Sequence, residues 1–109
     1  MIINLYGCDE RKIRTKIELK KFVKDLCKKI GMTRIGPVRI KKFGSGSLKG
    51  LSAMQFIKTS TITVHLDESK NRAFIDIFSC NEFKGREVEK FCREFFNAKD
   101  SRSKRFLRD

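Results

Sequence analysis

Ser60, His65 and Cys80 are the side chains of this 109-residue chain whose types and spacing can do chemistry together. A hydroxyl can attack a carbonyl, an imidazole can carry a proton at neutral pH, and a thiol can donate one. His65 is the only histidine. All three fall within TSTITVHLDESKNRAFIDIFSC, Thr59 to Cys80, which reads as two β-strands. Ile62, Val64 and Leu66 alternate with Thr61, Thr63 and His65, the period-2 pattern of a half-buried strand. Ala73 to Cys80 carries Ile and Phe on both faces, as a more central strand does. Asp67 to Asn71 supplies turn residues between them. An antiparallel hairpin centred near Ser69 sets His65 opposite residue 73 or so, and Cys80 opposite Lys58 or Thr59. Opposed residues lie about 5 Å apart, so Ser60 starts one strand close to the cysteine that ends the next. A hydroxyl, an imidazole and a thiol are thereby expected to gather on one hairpin. A purely structural reading stands beside this: a lone strand histidine is commonly a satisfied polar residue, and a strand-end cysteine is small core filler.

Taken with their neighbours, these residues carry a family resemblance. The Ser-x-x-x-x-His strand, followed by a strand ending Asp76-Ile77-Phe78-Ser79-Cys80, resembles the prokaryotic S-adenosylmethionine decarboxylase proenzyme family, whose segment is Asp-x-(Phe/Tyr)-(Thr/Ser)-Cys. Gly50-Leu51-Ser52-Ala53 is similar to the family's Gly-Val-Ser-Gly, with Ser52 eight residues before Ser60. Tyr6-Gly7-Cys8-Asp9 resembles its Tyr-x-Cys-Asp. The matches run in the family's order over most of the chain.

The length suits one domain with a single modest core. Hydrophobic residues make up 39% of the chain, ten of them Phe, enough to exclude wholesale disorder. No apolar run reaches the ~18 residues of a membrane span. The start, MIINLYGCDERK, lacks the layout of a signal peptide, so a cytoplasmic location is expected. Cys8, Cys27, Cys80 and Cys92 lie far apart without C-x-x-C spacing, which argues against zinc and for reduced thiols. The net charge of +13 admits two readings, a phosphate-facing nucleic-acid surface or an ordinary solvated one. The basic residues spread over Lys20-Lys21, Lys28-Lys29, Arg39 to Lys42 and Arg102 to Arg108, and no nucleic-acid motif accompanies them.

In chain order, Met1 to Tyr6 reads as a short strand. Thr15 to Ile30 is an amphipathic helix with Leu19, Phe22, Val23, Leu26, Cys27 and Ile30 on one stripe and Gly31 as its stop. Thr33 to Phe43 is a strand that Pro37 assigns to an edge or a bulge. Gly44 to Gly50 is a glycine-rich connection without a Walker pattern. Leu51 to Lys58 is a third strand leading directly into Ser60. Arg86 to Phe96 forms a second helix, buried along Val88, Phe91, Cys92, Phe95 and Phe96, and Ser101 to Arg108 is a charged edge strand. The expected class is α+β: a two-layer α/β sandwich, mainly antiparallel, with two helices on one face, in the order β-α-β-β-β-α-β.

The resemblance implies self-processing. Ser60 would attack the preceding carbonyl and cut the chain between Thr59 and Ser60, giving chains 1–59 (β) and 60–109 (α) and a pyruvoyl group from Ser60. Ser52 and His65 match the positions that polarise the carbonyl and move the α-proton. The pyruvoyl carbonyl would form a Schiff base with the substrate amine, and Cys80 matches the proton donor. Phe43 matches an adenine-stacking residue, and Glu68, shifted by one residue, an acidic substrate contact. No metal is implied. The family has Glu before the processed serine and His after it, where this chain has Thr59 and Thr61. Its Thr-Trp-Pro-Glu is here Leu66-Asp67-Glu68-Ser69. S-adenosylmethionine is the first expected substrate, within polyamine (spermidine) biosynthesis, with arginine or ornithine as alternatives and a homodimer as the expected assembly. A non-cleaving basic protein that binds nucleic acid or a partner enzyme is the competing class.

Overall fold

Alternation and capping place the elements seen in a computed structural model, which describes residues 1–80 and 82–107. The strands are β1 (Ile2–Tyr6), β2 (Arg34–Phe43), β3 (Gly50–Ile57), β4 (Ser60–Asp67), β5 (Arg72–Phe78) and β6 (Asp100–Lys104). The helices are α1 (Lys16–Lys29) and α2 (Gly85–Phe95). Thr15 begins α1 by accepting the Glu18 amide at 3.2 Å through its hydroxyl, the Thr-x-x-Glu signature of a helix start. Gly31, at φ 69°, follows its end in the left-handed conformation that glycine adopts without strain.

The six strands form one antiparallel sheet in the order β2-β3-β4-β5-β1-β6. The expected α+β architecture is therefore present, with one correction to its element order. The run from Leu51 through Ser60 into the hairpin is two antiparallel strands, β3 and β4, joined at Lys58 and Thr59, so six strands are present where the expected order counted five. Lys-Thr lacks the glycine or asparagine that usually marks a two-residue hairpin turn. Pro37 lies where the β2–β3 register shifts, between Ile35 and Arg39, on an edge strand as expected. β5 sits inside the sheet between β4 and β1, and β6 ends at Lys104, short of the expected Arg108, which lies outside the described residues.

One face of the sheet is dry. Ile3 and Leu5, Leu51, Ala53 and Ile57, Ile62, Val64 and Leu66, and Ala73, Ile75 and Ile77 are buried beneath α1 and α2. Phe22 of α1 anchors the helix layer, with ring centroids 4.6–6.1 Å from Phe91, Phe95 and Phe96. The other face carries no helix. The β4–β5 turn is clamped by Asp67, which accepts from the Ser69 hydroxyl at 2.8 Å and from the Arg72 guanidinium at 2.6 Å. Burial raises the Asp67 pKa, but the Arg72 and Ser69 hydrogen bonds outweigh it and hold this carboxyl below its usual range.

Gly50 opens β3 where no side chain fits: a Cβ there would stand 1.7 Å from the Leu66 carbonyl oxygen. Gly50→Ala must push β3 away from β4, two residues before Ser52. A loss of about 1–3 kcal/mol is expected, read as a lower midpoint in a circular-dichroism melt. A melt matching the parent would refute this packing constraint.

Candidate functional site

Strand pairing decides which of the chemical residues meet. Thr61 faces Phe78 across β4–β5, so continuing the register by two residues brings Thr59 opposite Cys80. The Ser60 hydroxyl accepts the Cys80 amide at 3.0 Å and donates to the Cys80 sulfur at 3.5 Å. The Cys80 thiol in turn donates to the Thr59 carbonyl oxygen at 3.7 Å. Hydroxyl, thiol and the carbonyl before the serine thus form one contact group at the exposed end of the hairpin.

This geometry sets the character of the thiol. The hydrogen bond from the Ser60 hydroxyl, and then that of the Thr59 side chain, hold Cys80 below the ordinary thiol range. The other cysteines go the opposite way. Burial pushes Cys8 up to about 11 and Cys92 up to about 12, and raises Cys27 as well. Cys80 is the only exposed thiol of the four.

Ser52 and His65 form a second group. They are directly paired across β3–β4, and the Ser52 hydroxyl and His65 Nδ1 lie 2.8 Å apart. The His65 ring stacks on Phe74 at 6.4 Å with an interplanar angle of 11°. Both belong to the uncovered face, in a depression of ≈ 400 Å³ that Phe43, Met54, Phe74 and Asp76 also line. Phe43, matched to substrate stacking, therefore shares a surface with Ser52 and His65.

The expected gathering of His65 with Ser60 and Cys80 does not occur within one chain. Five residues along β4 separate them by about 17 Å at ~3.3 Å per residue, and an odd spacing puts them on opposite faces. Glu68 is also elsewhere. It sits in the hairpin turn with its carboxylate held by Arg14 at 3.2 Å, and the carboxylate lining the depression is Asp76. Asp76 and Phe74 were legible as partners of His65 from strand alternation, because β5 residues opposite odd β4 positions share its face. The Ser52–His65 pair was hidden by the unmarked turn at Lys58 and Thr59.

These features define a class first: a two-layer α/β protein with one bare sheet face and a serine–cysteine–carbonyl contact at a hairpin end. The same fold is found in the crystal structure of the adenosylmethionine decarboxylase from Aquifex aeolicus, with a TM-score of 0.76 at 19% identity over 93% of this chain and 81% of that one. The family model described as S-adenosylmethionine decarboxylase matches residues 1–109, and the chain belongs to that family. A relative from Pyrobaculum aerophilum, named S-adenosylmethionine decarboxylase proenzyme, is 29% identical over 72% of this chain. One of the same name from Clostridium kluyveri is 28% identical over 92% of it. The matched region spans 61% of the Pyrobaculum relative's length and 77% of the Clostridium one's.

Iodoacetamide is expected to modify Cys80 alone in the folded, uncleaved chain. Ser60→Ala removes the principal hydrogen bond that lowers its pKa, so Cys80 should react more slowly at neutral pH. Peptide mass mapping reads both effects. Equal rates in the two proteins, or label on Cys8, Cys27 or Cys92, would contradict the assignment.

Proposed function

We propose that the chain is a self-processing, pyruvoyl-dependent decarboxylase acting on S-adenosylmethionine, cytoplasmic and homodimeric. The observation that carries this reading is the contact group at Thr59, Ser60 and Cys80. In the first step the Ser60 hydroxyl attacks the Thr59 carbonyl carbon. The C–N bond breaks as the ester C–O bond forms, and the freed nitrogen takes the hydroxyl proton. Loss of the residue-60 α-proton then expels the Thr59 carboxylate. The resulting dehydroalanine tautomerises and hydrolyses with release of ammonia, leaving chains 1–59 and 60–109. The Cys80 thiol, donating to the Thr59 oxygen at 3.7 Å, supplies the polarising contact that an attacked carbonyl needs.

The residues present fit a pyruvoyl group at position 60, since the Cys80 amide and thiol both reach that side chain, at 3.0 and 3.5 Å. Such a group supplies an electron sink for a departing α-carboxylate. Cys80 is then the proton source for the substrate α-carbon. Processing removes the very hydroxyl that lowers the Cys80 pKa, which returns the thiol toward its protonated, proton-donating form. Phe43 and Phe74 offer aromatic faces to the nucleoside, and Asp76 offers a carboxylate to the substrate's cationic centre in a depression that Arg39 and Lys41 also line.

The separation of the two groups supports homodimer formation. His65 and Ser52 lie too far along β4 to move a proton at their own Ser60, so in this reading a second copy supplies them. The bare face is apolar enough for such pairing: Ile2, Phe43, Met54, Phe56 and Phe78 are each 44–52% exposed there.

An intact-mass spectrum is expected to show fragments broken between Thr59 and Ser60, and none from Ser60→Ala. An unbroken 12.7 kDa parent chain after long incubation would overturn self-processing. Shared sites make a separate prediction. Ser60→Ala and His65→Ala proteins, each uncleaved alone, should cut the His65→Ala chain when unfolded and refolded together. If the mixture stays whole while the parent cleaves, the sites are not shared.

A further inference from the structure

The positive charge is not spread over the molecule. Residues 11–49 hold fourteen of the 26 basic residues and only two of the 13 acidic ones, a net of +12 out of +13. The remainder of the chain is close to balanced. The two helices, which share one face of the sheet, therefore present different surfaces. α2 carries three basic and three acidic residues and pairs Lys90 with Glu94 at 3.9 Å. α1 carries Lys16, Lys20, Lys21, Lys24, Lys28 and Lys29, all exposed, against Glu18 and Asp25. Glu18 is taken by Lys12 at 3.4 Å, and none of the six lysines enters an ion pair among the described residues.

Their spacing is regular. Lys16, Lys20, Lys24 and Lys28 recur at every fourth position, about 6 Å apart at ~1.5 Å per residue, in a row about 18 Å long. Like charges four apart oppose helix formation, so this row works against folding. Among the described residues no ion pair within the chain offsets it, so an external anion can.

We propose that the solvent face of α1 is a docking surface for the phosphate backbone of a nucleic-acid duplex. A duplex presents one negative charge per ~1.7 Å of its axis, about ten over the length of the lysine row, so each lysine can meet a phosphate and release a counterion. The face carries no aromatic residue, which removes base stacking and leaves sequence-independent backbone contact. Its one large apolar residue is Ile17, 80% exposed, too little for the apolar centre of a protein–protein interface. Membrane insertion is disfavoured because Leu19, Phe22, Val23 and Leu26, the apolar stripe of α1, are buried in the core. The lysines point away from the bare sheet face, so a bound duplex leaves the candidate active site open. The inference stands apart from the decarboxylase reading, since an uncleaved chain has the same surface.

Fluorescence anisotropy with a labelled 20-base-pair RNA duplex, and its DNA counterpart, between 50 and 200 mM KCl tests this. With the four phosphate contacts of the row, affinity should fall about 150-fold across that range, a log–log slope near −3.6 at ~0.9 per contact. Lys20→Gln/Lys24→Gln/Lys28→Gln should flatten the slope by about 3, and Lys24→Gln alone by about 1, so the single variant carries the test if the triple one fails to fold. Lys84→Gln/Arg86→Gln/Lys90→Gln removes the same net charge from the α2 side and should leave affinity within about twofold. Equal losses from the two triple variants would overturn the proposal. So would salt-independent binding, no binding by the parent, or capture by phosphatidylserine vesicles with the duplex refused.

Discussion

The register between β4 and β5 is the constraint on which the rest of the candidate site depends. Strand side chains alternate faces, so a slip of one residue would turn Ile62, Val64 and Leu66 out of the core and carry Ser60 away from Cys80 together. Two features pin it. The buried alternation of β4 matches that of Ala73, Ile75 and Ile77 across the ladder. At the turn, Asp67 is tied to Ser69 and Arg72, closing the hairpin at its far end. The catalytic proposal at the open end thus draws its geometry from a polar clamp at the closed one, some seven residues away.

A sheet covered on one side only has two unlike surfaces, and this chain uses each differently. Apart from the buried Gln55, the helix-side strand residues are aliphatic and enclosed, with Phe22 packed among three phenylalanines above them. The bare side mixes Ser52, His65 and Asp76 with half-exposed Phe and Met. That mixture suits a surface that closes over a ligand or another copy rather than one left in water. The outer face of α1, mostly polar and predominantly positive, is a third surface. Apolar adhesion belongs to the bare sheet face and electrostatic attraction to the helix face.

Much of this was legible in the residues themselves, because local rules decided it. Strand alternation fixed the faces of Ile62, Val64 and Leu66. Thr15 with Glu18 and Gly31 bounded α1 through hydrogen bonds closed within the same segment. Ser60 met Cys80 because a short polar turn leaves an antiparallel hairpin few registers to choose from. Even the separation of His65 from Ser60 was implicit in their odd spacing.

Contacts between distant segments were not legible, because nothing local specifies them. β1 enters the sheet between β5 and β6, pairing Ile3 with Ile75 and with Ser103. Arg14 captures Glu68 from 54 residues away and so occupies a carboxylate that chain position alone offered to a substrate. Ser52 reaches His65 only because β3 folds back through a turn with no glycine or asparagine to announce it. Period and capping are properties of neighbouring residues and can be read along the chain. Which charge meets which, and which of two faces is left bare, is settled only when the helices have taken one side of the sheet.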